Sequence, residues 1–228
     1  MPAIPKPAST VVLMDDMNRI YLTKRPDTMK FMGGFYVFPG GAVEVDDEIH
    51  NPSLIDYSNC EESFCATHYV AAVRELFEEV GIFLGERKDG SFPLFKRRTD
   101  YEYRQLLMNG EIKLSEIVEI EELYINLQAL QYYGHIITPV QSPIRFDTRF
   151  FLAKLPQGQF PVPDPREVAD AFWITPEEAL NAYMEERIPM APPTVISLKG
   201  IYYHLRGEPL RMPKMPIVKN FKIQDFKL

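Results

Sequence analysis

The segment from Val70 to Gly81 carries three glutamates, Glu75, Glu78 and Glu79, at spacings of three and four residues. Such spacings make side chains neighbours on one side of an α-helix. Clustered carboxylate oxygens are the ligands that Mg²⁺ and Mn²⁺ prefer in proteins. The chemistry that these residues could perform is therefore the binding of divalent cations and, through them, the activation of water.

The same segment has the periodicity of an amphipathic helix, which we predict over about residues 66–80. At 100° per residue, the three carboxylates gather opposite an apolar arc formed by Val70, Val73, Leu76, Phe77 and Val80. Gly81 is the expected C-terminal stop, so Glu78 and Glu79 lie at the negative end of the helix dipole. Like charges on a helix cost about 0.2–0.5 kcal/mol per pair. This helix alone leaves two explanations open, a bound cation or a solvated acidic face.

A glycine turn precedes the acidic helix. The short apolar run Phe35–Phe38 is halted by Pro39, Gly40 and Gly41. Glycine lets the backbone approach a ligand closely, although an ordinary tight turn has the same sequence. Its place upstream of an Arg-Glu-x-x-Glu-Glu-x-Gly helix favours a role beside the same ligand.

Several further strands and helices must place these residues. The predicted strands are 10–14 and 19–23, joined by a turn at 15–18, and then 134–138, 145–155 and 169–174. The further predicted helices span about 99–109, begin at Thr175-Pro176, and span about 194–206. Because strands and helices alternate irregularly, we expect an α/β (α+β) fold with a mixed sheet between helices.

Composition narrows the class of protein. The 228 residues carry a formal net charge of −7, which argues against indiscriminate nucleic-acid binding because that requires many cations. No apolar run approaches 18 residues, so we expect no membrane-spanning helix. The first residues lack the pattern of a secretion signal, and two cysteines cannot form a disulfide framework. We therefore expect a cytoplasmic protein in which Cys60 and Cys65 are reduced and packed.

Together, the glycine turn and the acidic helix resemble the signature of the Nudix hydrolase superfamily. That signature reads Gly, five residues, Glu, seven residues, Arg-Glu, an aliphatic residue, any residue, Glu-Glu, any residue, Gly, an aliphatic residue. Its second half is present in full over Arg74–Ile82. Counting from Gly41, the early Glu falls on Asp47, with Glu48 next, and 26 residues separate Asp47 from Arg74. An insertion at about 48–65 splits the signature, which leaves the structural role of the early Glu open.

A second motif resembles the branch that cleaves coenzyme A (CoA) and acyl-CoA. Residues 21–41 match its spacing of Leu-Leu-Thr-x-Arg, a later Arg, Gly and Phe-Pro-Gly-Gly, but Tyr21, Pro26 and Lys30 replace a Leu, a small residue and that later Arg. Lysine keeps the charge of arginine but loses its forked contact to phosphate. Downstream, residues 138–151 also resemble that branch, and residues 173–180 resemble the end of a Nudix core.

The resemblance implies a Nudix-type α/β/α sandwich that hydrolyses a diphosphate linkage in a nucleoside diphosphate derivative. Water would attack phosphorus with Mg²⁺ or Mn²⁺ as cofactor. The implied metal ligands are the carbonyl of Gly40 and the carboxylates of Glu75, Glu78 and Glu79. Arg74 would orient a carboxylate.

The resemblance does not fix the general base. Glu75 or Glu79 is our first choice, and Glu167, in the proline-rich loop before strand 169–174, is a further candidate. The residues expected to contact the substrate are Arg25, Lys30 and Gly41, and for Arg25 and Lys30 plain surface charge is the competing interpretation.

The resemblance leaves several substrates open. CoA or acyl-CoA leads, and ADP-ribose, dinucleotides and nucleoside triphosphates follow. A Nudix-fold nucleotide sensor without turnover is the rival, but sensors usually lose signature acids that this chain keeps. An RNA-cap hydrolase would need a broad basic surface, which a pI near 5.2 disfavours.

The resemblance also implies the organisation of the chain. We predict a single domain over 1–228, with a core at about 8–205, the insertion at about 48–65, and a basic C-terminal extension at 207–228. The extension has a local charge of +3, and we interpret it as solvated or as an arm onto a partner subunit. The insertion could be a lid, a specificity loop or a dimer contact. The expected partners are a small-molecule substrate and a second copy of the chain in a homodimer, without nucleic acid or membrane.

Overall fold

The computed structural model describes residues 3–57, 66–87, 89 and 95–213. Within them, ten strands form two sheets and five α-helices cover them. The strands are β1 (Lys6–Met14), β2 (Ile20–Lys24), β3 (Tyr36–Val37), β4 (Gly40–Ala42), β5 (Ile55–Asp56), β6 (Gly85–Arg87), β7 (Leu123–Asn126), β8 (Gln131–Ile137), β9 (Phe146–Lys154) and β10 (Asp170–Ile174). The helices are α1 (Thr67–Val80), α2 (Asp100–Met108), α3 (Leu114–Ile120), α4 (Pro176–Met184) and α5 (Pro192–His204).

The larger sheet is mixed. Its strand order is β10-β2-β1-β9-β8, with β3 paired to β2 and β4 paired to β1. The pair β1–β9 is parallel and the other pairs of this sheet are antiparallel. The strand β1 therefore lies at the centre and carries the glycine turn directly on its edge through β4.

Alternation along β1 divides the core between the two faces of this sheet. Val11 and Leu13 pack with α1, whereas Val12 packs with α4 and α5. A strand that is apolar on both faces must be covered on both sides, and the helices provide that cover. The α/β/α sandwich predicted from the sequence is confirmed.

The smaller sheet was not predicted. Its order is β5-β7-β6, with β5 parallel and β6 antiparallel to β7. Part of the insertion, residues 48–57, contributes β5 together with the buried side chains of Leu54 and Ile55. Leu54 and Ile55 of the insertion are therefore part of the core, while a lid, a specificity loop or a dimer contact stays a prediction for the insertion.

Most predicted elements lie where the sequence placed them. Helix α1 begins one residue inside its predicted span, and α2 lies within the predicted 99–109. Strand β1 begins four residues early, because residues 6–9 pair with β9, and Pro7 is tolerated near its start. Strand β8 begins at Gln131 rather than Gly134. Helix α3 was missed.

Some predictions fall outside the described residues. These include Cys60 and Cys65, the rest of the insertion at 58–65, and residues 214–228 of the basic extension. None of the helices in the described part of the chain has the length and apolar character needed to cross a bilayer. The single-domain organisation stays a prediction.

Candidate active site

The three glutamates of α1 are buried. Their exposed fractions are 8% for Glu75, 8% for Glu78 and 6% for Glu79. Burial, reinforced by neighbouring carboxylates, raises the pKa of Glu75 to about 8 and of Glu78 to about 7, and it raises the pKa of Glu79 well above its usual range. The explanation that these side chains form a solvated face is therefore wrong, because other parts of the fold cover the arc opposite the apolar one.

The glycine turn is part of that cover. A Cβ on Gly41 would lie 2.4 Å from Oε1 of Glu75, so the carboxylate occupies the space that a larger residue would need. Gly40 has a φ of +154°, and a Cβ there would lie 2.3 Å from the carbonyl oxygen of Ser9. Its backbone N–H also donates a hydrogen bond to the Glu79 carboxylate. Glycine is therefore required at position 40 for β4 to lie so close to β1, and a side chain at position 41 would displace the Glu75 carboxylate.

Arg74 donates hydrogen bonds to several groups of the site and is only 5% exposed. Its Nη1 donates to Oε1 of Glu75 at 2.9 Å and to Oε2 of Glu78 at 2.8 Å. Its Nη2 donates to the carbonyl oxygen of Ala42 at 2.8 Å. Burial alone would lower the pKa of Arg74, but its bonds to Asp47 and the nearby carboxylates raise it above its ordinary value. Arg74 orients two carboxylates at once.

Asp47 takes the structural place of the early signature Glu. Its Oδ1 accepts from Nε of Arg74 at 2.8 Å, and its Oδ2 accepts from Nη2 at 3.1 Å. The backbone N–H of Glu44 also donates to Oδ2, at 2.7 Å. The 3₁₀ turn Val45–Asp47 brings the side chain inward, where it is 1% exposed. The role that the split signature left open is filled by Asp47 and not by Glu48, which is exposed.

The C-terminal end of α1 is satisfied from outside the helix. The carbonyl of Glu78 accepts from Nε and Nη2 of Arg104 on α2, at 3.1 and 2.9 Å. The carbonyl of Glu79 accepts from the backbone N–H of Asp164, and that of Val80 from the N–H of Val162, both at 2.8 Å. Helix ends leave such carbonyls without intrahelical partners. Sequence reasoning missed Arg104 and Asp164, because a side chain or loop that bonds a distant carbonyl leaves no local pattern.

The loop that holds this helix end also brings Glu167 to the site. Glu167 is half-buried, and its charge acts on all three glutamates of α1. Burial and the nearby Asp164 raise its pKa. The structure thus brings together Glu167 and the carboxylates that the sequence singled out.

The two basic side chains predicted to bind the substrate, Arg25 and Lys30, differ in their surroundings. Arg25 is half-buried, donates from Nε to the carbonyl oxygen of Phe31 at 3.2 Å, and lies near enough to Glu79 and Glu167 to lower the pKa of both. Lys30 is exposed, and it makes no ion pair with the described residues. The structure therefore joins Arg25 to the carboxylate cluster and leaves Lys30 apart from it.

The site contains more acidic than basic side chains. Its carboxylates belong to Asp47, Glu75, Glu78, Glu79, Asp164 and Glu167, and its guanidinium groups to Arg25, Arg74, Arg104 and Arg166. Six acids thus face four bases, most of them shielded from water. Burial and mutual proximity disfavour the charged forms of these carboxylates, and a cluster of hard oxygens fits a divalent cation that would restore them.

The described residues hold no group of three or more His, Cys, Asp or Glu side chains already arranged around a metal position. The hydrogen bonds explain why, since Nη1 of Arg74 lies between Glu75 and Glu78 and bonds one oxygen of each. The carboxylate donor set fits a divalent cation, while Arg74 bonds one oxygen each of Glu75 and Glu78 in this structure.

Comparison with known proteins gives matches over most of the chain. The sequence model of the NUDT19 Nudix domain matches residues 65–201. A putative nudix hydrolase 7 of Caenorhabditis elegans is 27% identical over 191 residues, covering 84% of this chain and 58% of that protein. The acyl-coenzyme A diphosphatase NUDT19 of Xenopus laevis is 26% identical over 225 residues, covering 80% of this chain and 59% of that protein. The chain thus spans less than two thirds of the length of either relative.

A solved structure shows the same fold. The crystal structure of a NUDIX hydrolase from Alicyclobacillus acidocaldarius superposes with a TM-score of 0.78 at 25% sequence identity. The match covers 93% of this chain and 99% of that one. The likeness therefore extends beyond the signature helix to the whole sandwich.

Proposed function

Because the chain belongs to the NUDT19 Nudix domain family, we propose that it is a hydrolase that cleaves the diphosphate linkage of CoA or acyl-CoA with the help of Mg²⁺ or Mn²⁺. The family match bears out the resemblance to Nudix hydrolases and to their CoA-cleaving branch. The activity and the substrate are the steps that we add.

One observation carries the proposal. Glu75, Glu78 and Glu79 lie together, buried, with pKa values raised above the usual range, and the site around them has more acids than bases. Buried carboxylates whose pKa values are raised by burial and by one another mark a candidate functional site. Divalent cations bound there would neutralise a diphosphate and lower the pKa of a water molecule that attacks phosphorus.

The residues of the site would have different roles in cation binding and in proton transfer. The carboxylates of Glu75, Glu78 and Glu79 and the carbonyl of Gly40 would hold the cations, and Arg74 would orient Glu75 and Glu78. Glu75, Glu79 or Glu167 would accept the proton of the attacking water. Glu167 is favoured over Glu75 for this task by its half-buried place beside the cluster, because Arg74 donates a hydrogen bond to the carboxylate of Glu75.

The substrate contacts rest on the loop before the glycine turn. Arg25, near Glu79 and Glu167, would bind a phosphate oxygen, and the backbone at Gly41 would line the same space. Lys30, which is exposed, would provide a second positively charged side chain for the substrate phosphate. The CoA-type substrate is supported by the name of the Xenopus relative and by the spacing of this loop. The cytoplasmic location and the homodimer stay predictions.

A substrate panel tests the proposal. The purified chain is incubated with CoA, acyl-CoA, ADP-ribose, NADH and diadenosine polyphosphates, each with Mg²⁺ or Mn²⁺, and the phosphate products are resolved by chromatography. We expect CoA or acyl-CoA to be split into two phosphate-containing products fastest. Faster cleavage of ADP-ribose or a dinucleotide would favour the alternative pyrophosphatase. Binding of nucleotides without any cleavage would favour the sensor.

A further inference from the structure

Arg104 is a buried cation that faces the last turn of α1. It is 3% exposed, and two of its nitrogens donate to the carbonyl of Glu78. Its Nη1 would lie 3.0 Å from a Cβ placed on Gly81, the residue that ends the helix. Within the described residues it makes no ion pair with a carboxylate at hydrogen-bonding distance. Its donors are therefore directed at the helix end, while Asp164, Asp100 and Glu167 lie near enough to favour its charged form.

Burying a guanidinium group without a carboxylate at ion-pair distance is costly, and an apolar side chain of similar volume would pack there without that cost. The surroundings supply the reason for a cation. The C-terminal end of a helix is negative, and this end also carries the carboxylates of Glu78 and Glu79. Arg104 donates to this helix end from the side of α2, while Arg74 donates to the carboxylates of Glu75 and Glu78.

The residue next to Arg104 extends the contact to the loop of the site. Nε2 of Gln105 donates to Oδ2 of Asp164 at 3.2 Å, and the N–H of Asp164 donates to the carbonyl of Glu79. The loop then continues to Glu167, whose backbone N–H donates to the carbonyl of Asp164 at 3.1 Å. One turn of α2 thus holds both the end of α1 and the segment that carries Glu167.

We propose that Arg104 is a positioning residue of the cation site, which fixes the carbonyl of Glu78 and so the direction in which Glu78 and Glu79 present their carboxylates. The inference rests on the proposed function in one respect, that these glutamates bind a divalent cation. It assigns to α2, a helix outside the signature, an effect on cation affinity that acts through the carbonyl of Glu78. Partners behind metal ligands change metal affinity or activity by about 10–100-fold when they are removed.

The test measures Mn²⁺ binding by electron paramagnetic resonance on the full chain without substrate. The variants are Arg104→Met, which removes the charge and both donors, and Arg104→Lys, which keeps the charge without the fork. Arg97→Met is the matched control, because Nε of Arg97 donates to the carbonyl of Ile120 at the end of α3, away from the site. Thermal melting of every variant reports folding.

We expect Arg104→Met to bind Mn²⁺ about 10–100-fold more weakly, Arg104→Lys to fall between it and the wild type, and Arg97→Met to match the wild type. On the best substrate, kcat falls with Arg104→Met at saturating Mn²⁺ while KM changes little, because the misdirected carboxylates act on the reacting atoms and not on substrate affinity.

Wild-type Mn²⁺ affinity and kcat in a folded Arg104→Met variant would overturn the inference and leave the proposed function intact. If Arg104→Met does not fold, Arg104→Lys decides in the same way. A wild-type chain that binds no Mn²⁺ would instead overturn the cation site itself, and this inference with it.

Discussion

Asp47 accepts two hydrogen bonds from Arg74 across an insertion in the signature, with 26 residues of chain between them. The pair is buried on both sides, with side-chain exposures of 6% for Arg74 and 0% for Asp47. Because the bidentate contact fixes the guanidinium group, it also fixes Nη1 between Glu75 and Glu78. The geometry of the site therefore depends on the contact that the insertion could have broken.

Replacing Asp47 tests this dependence. Asp47→Ala leaves the guanidinium of Arg74 without its strongest partner, and breaking a buried pair in this way costs about 3–5 kcal/mol. We expect the free energy of unfolding in urea to fall by that amount and the activity to fall with it. Asp46→Ala is the control, because Asp46 pairs with Lys113 at the surface and its loss changes stability by within about 0.5 kcal/mol. Equal effects of the two variants would contradict the structural role of Asp47.

Glu79→Gln tests the cation site. The amide keeps the shape of the side chain but loses the charge that attracts a divalent cation. We expect Mn²⁺ affinity to fall by at least about 10–100-fold, the loss typical of residues one step further from a metal, and turnover to fall with it. Glu119→Gln, an exposed glutamate of α3, should change neither. Normal turnover by Glu79→Gln would show that the cluster is not where cations act.

The variant Glu167→Gln tests whether Glu167 acts as the general base or as a metal ligand. If Glu167 takes the proton from water, its loss lowers kcat by about 10²–10⁴-fold while Mn²⁺ affinity stays near that of the wild type. A variant of a ligand would change both quantities. The measurement is kcat at saturating substrate beside a Mn²⁺ titration of the free protein. An unchanged kcat would return the role to Glu75 or Glu79.

Glu121 makes the stability of the fold depend on pH in a region away from the site. Burial alone would raise its pKa, but donors from the backbone of Lys96 and Arg97 and from the hydroxyl of Tyr103 bring it below its ordinary value near 4.5. A lowered pKa in the folded state stabilises the protein above that ordinary value. The stability is lost as pH falls through the lower, folded value.

We therefore expect the free energy of unfolding in urea to decrease between about pH 5 and pH 3 in the wild type. In Glu121→Gln this part of the decrease should be missing. Glu119→Gln is again the control, since its side chain is exposed and it should keep the wild-type slope. An equal slope in all three proteins would contradict the role given to Glu121.

The sequence was informative where a pattern is local. The periodicity of α1 and its stop at Gly81 are properties of one segment, and both agree with the structure. The burial of Glu75 could not be read in this way. A helical projection shows the arc opposite the core but not that Gly41 packs against it.

Short strands and contacts of side chains to the backbone could not be predicted from the sequence. Strand β5 has two residues and β6 has three, which is too short for alternation to appear, and both exist because β7 offers them partners. Arg104 bonds a carbonyl, a group that every residue has, so nothing in the sequence points from one to the other. Asp47 was found by spacing, but its role required the fold.

The surplus of acids over bases has a practical consequence for anyone who handles this protein. Cation binding to the folded state alone would stabilise it by mass action, so its melting temperature would be a property of the buffer as much as of the chain. Protein purified with a chelator would then unfold at a lower temperature. Stability values from two laboratories would be comparable only at the same Mg²⁺ concentration.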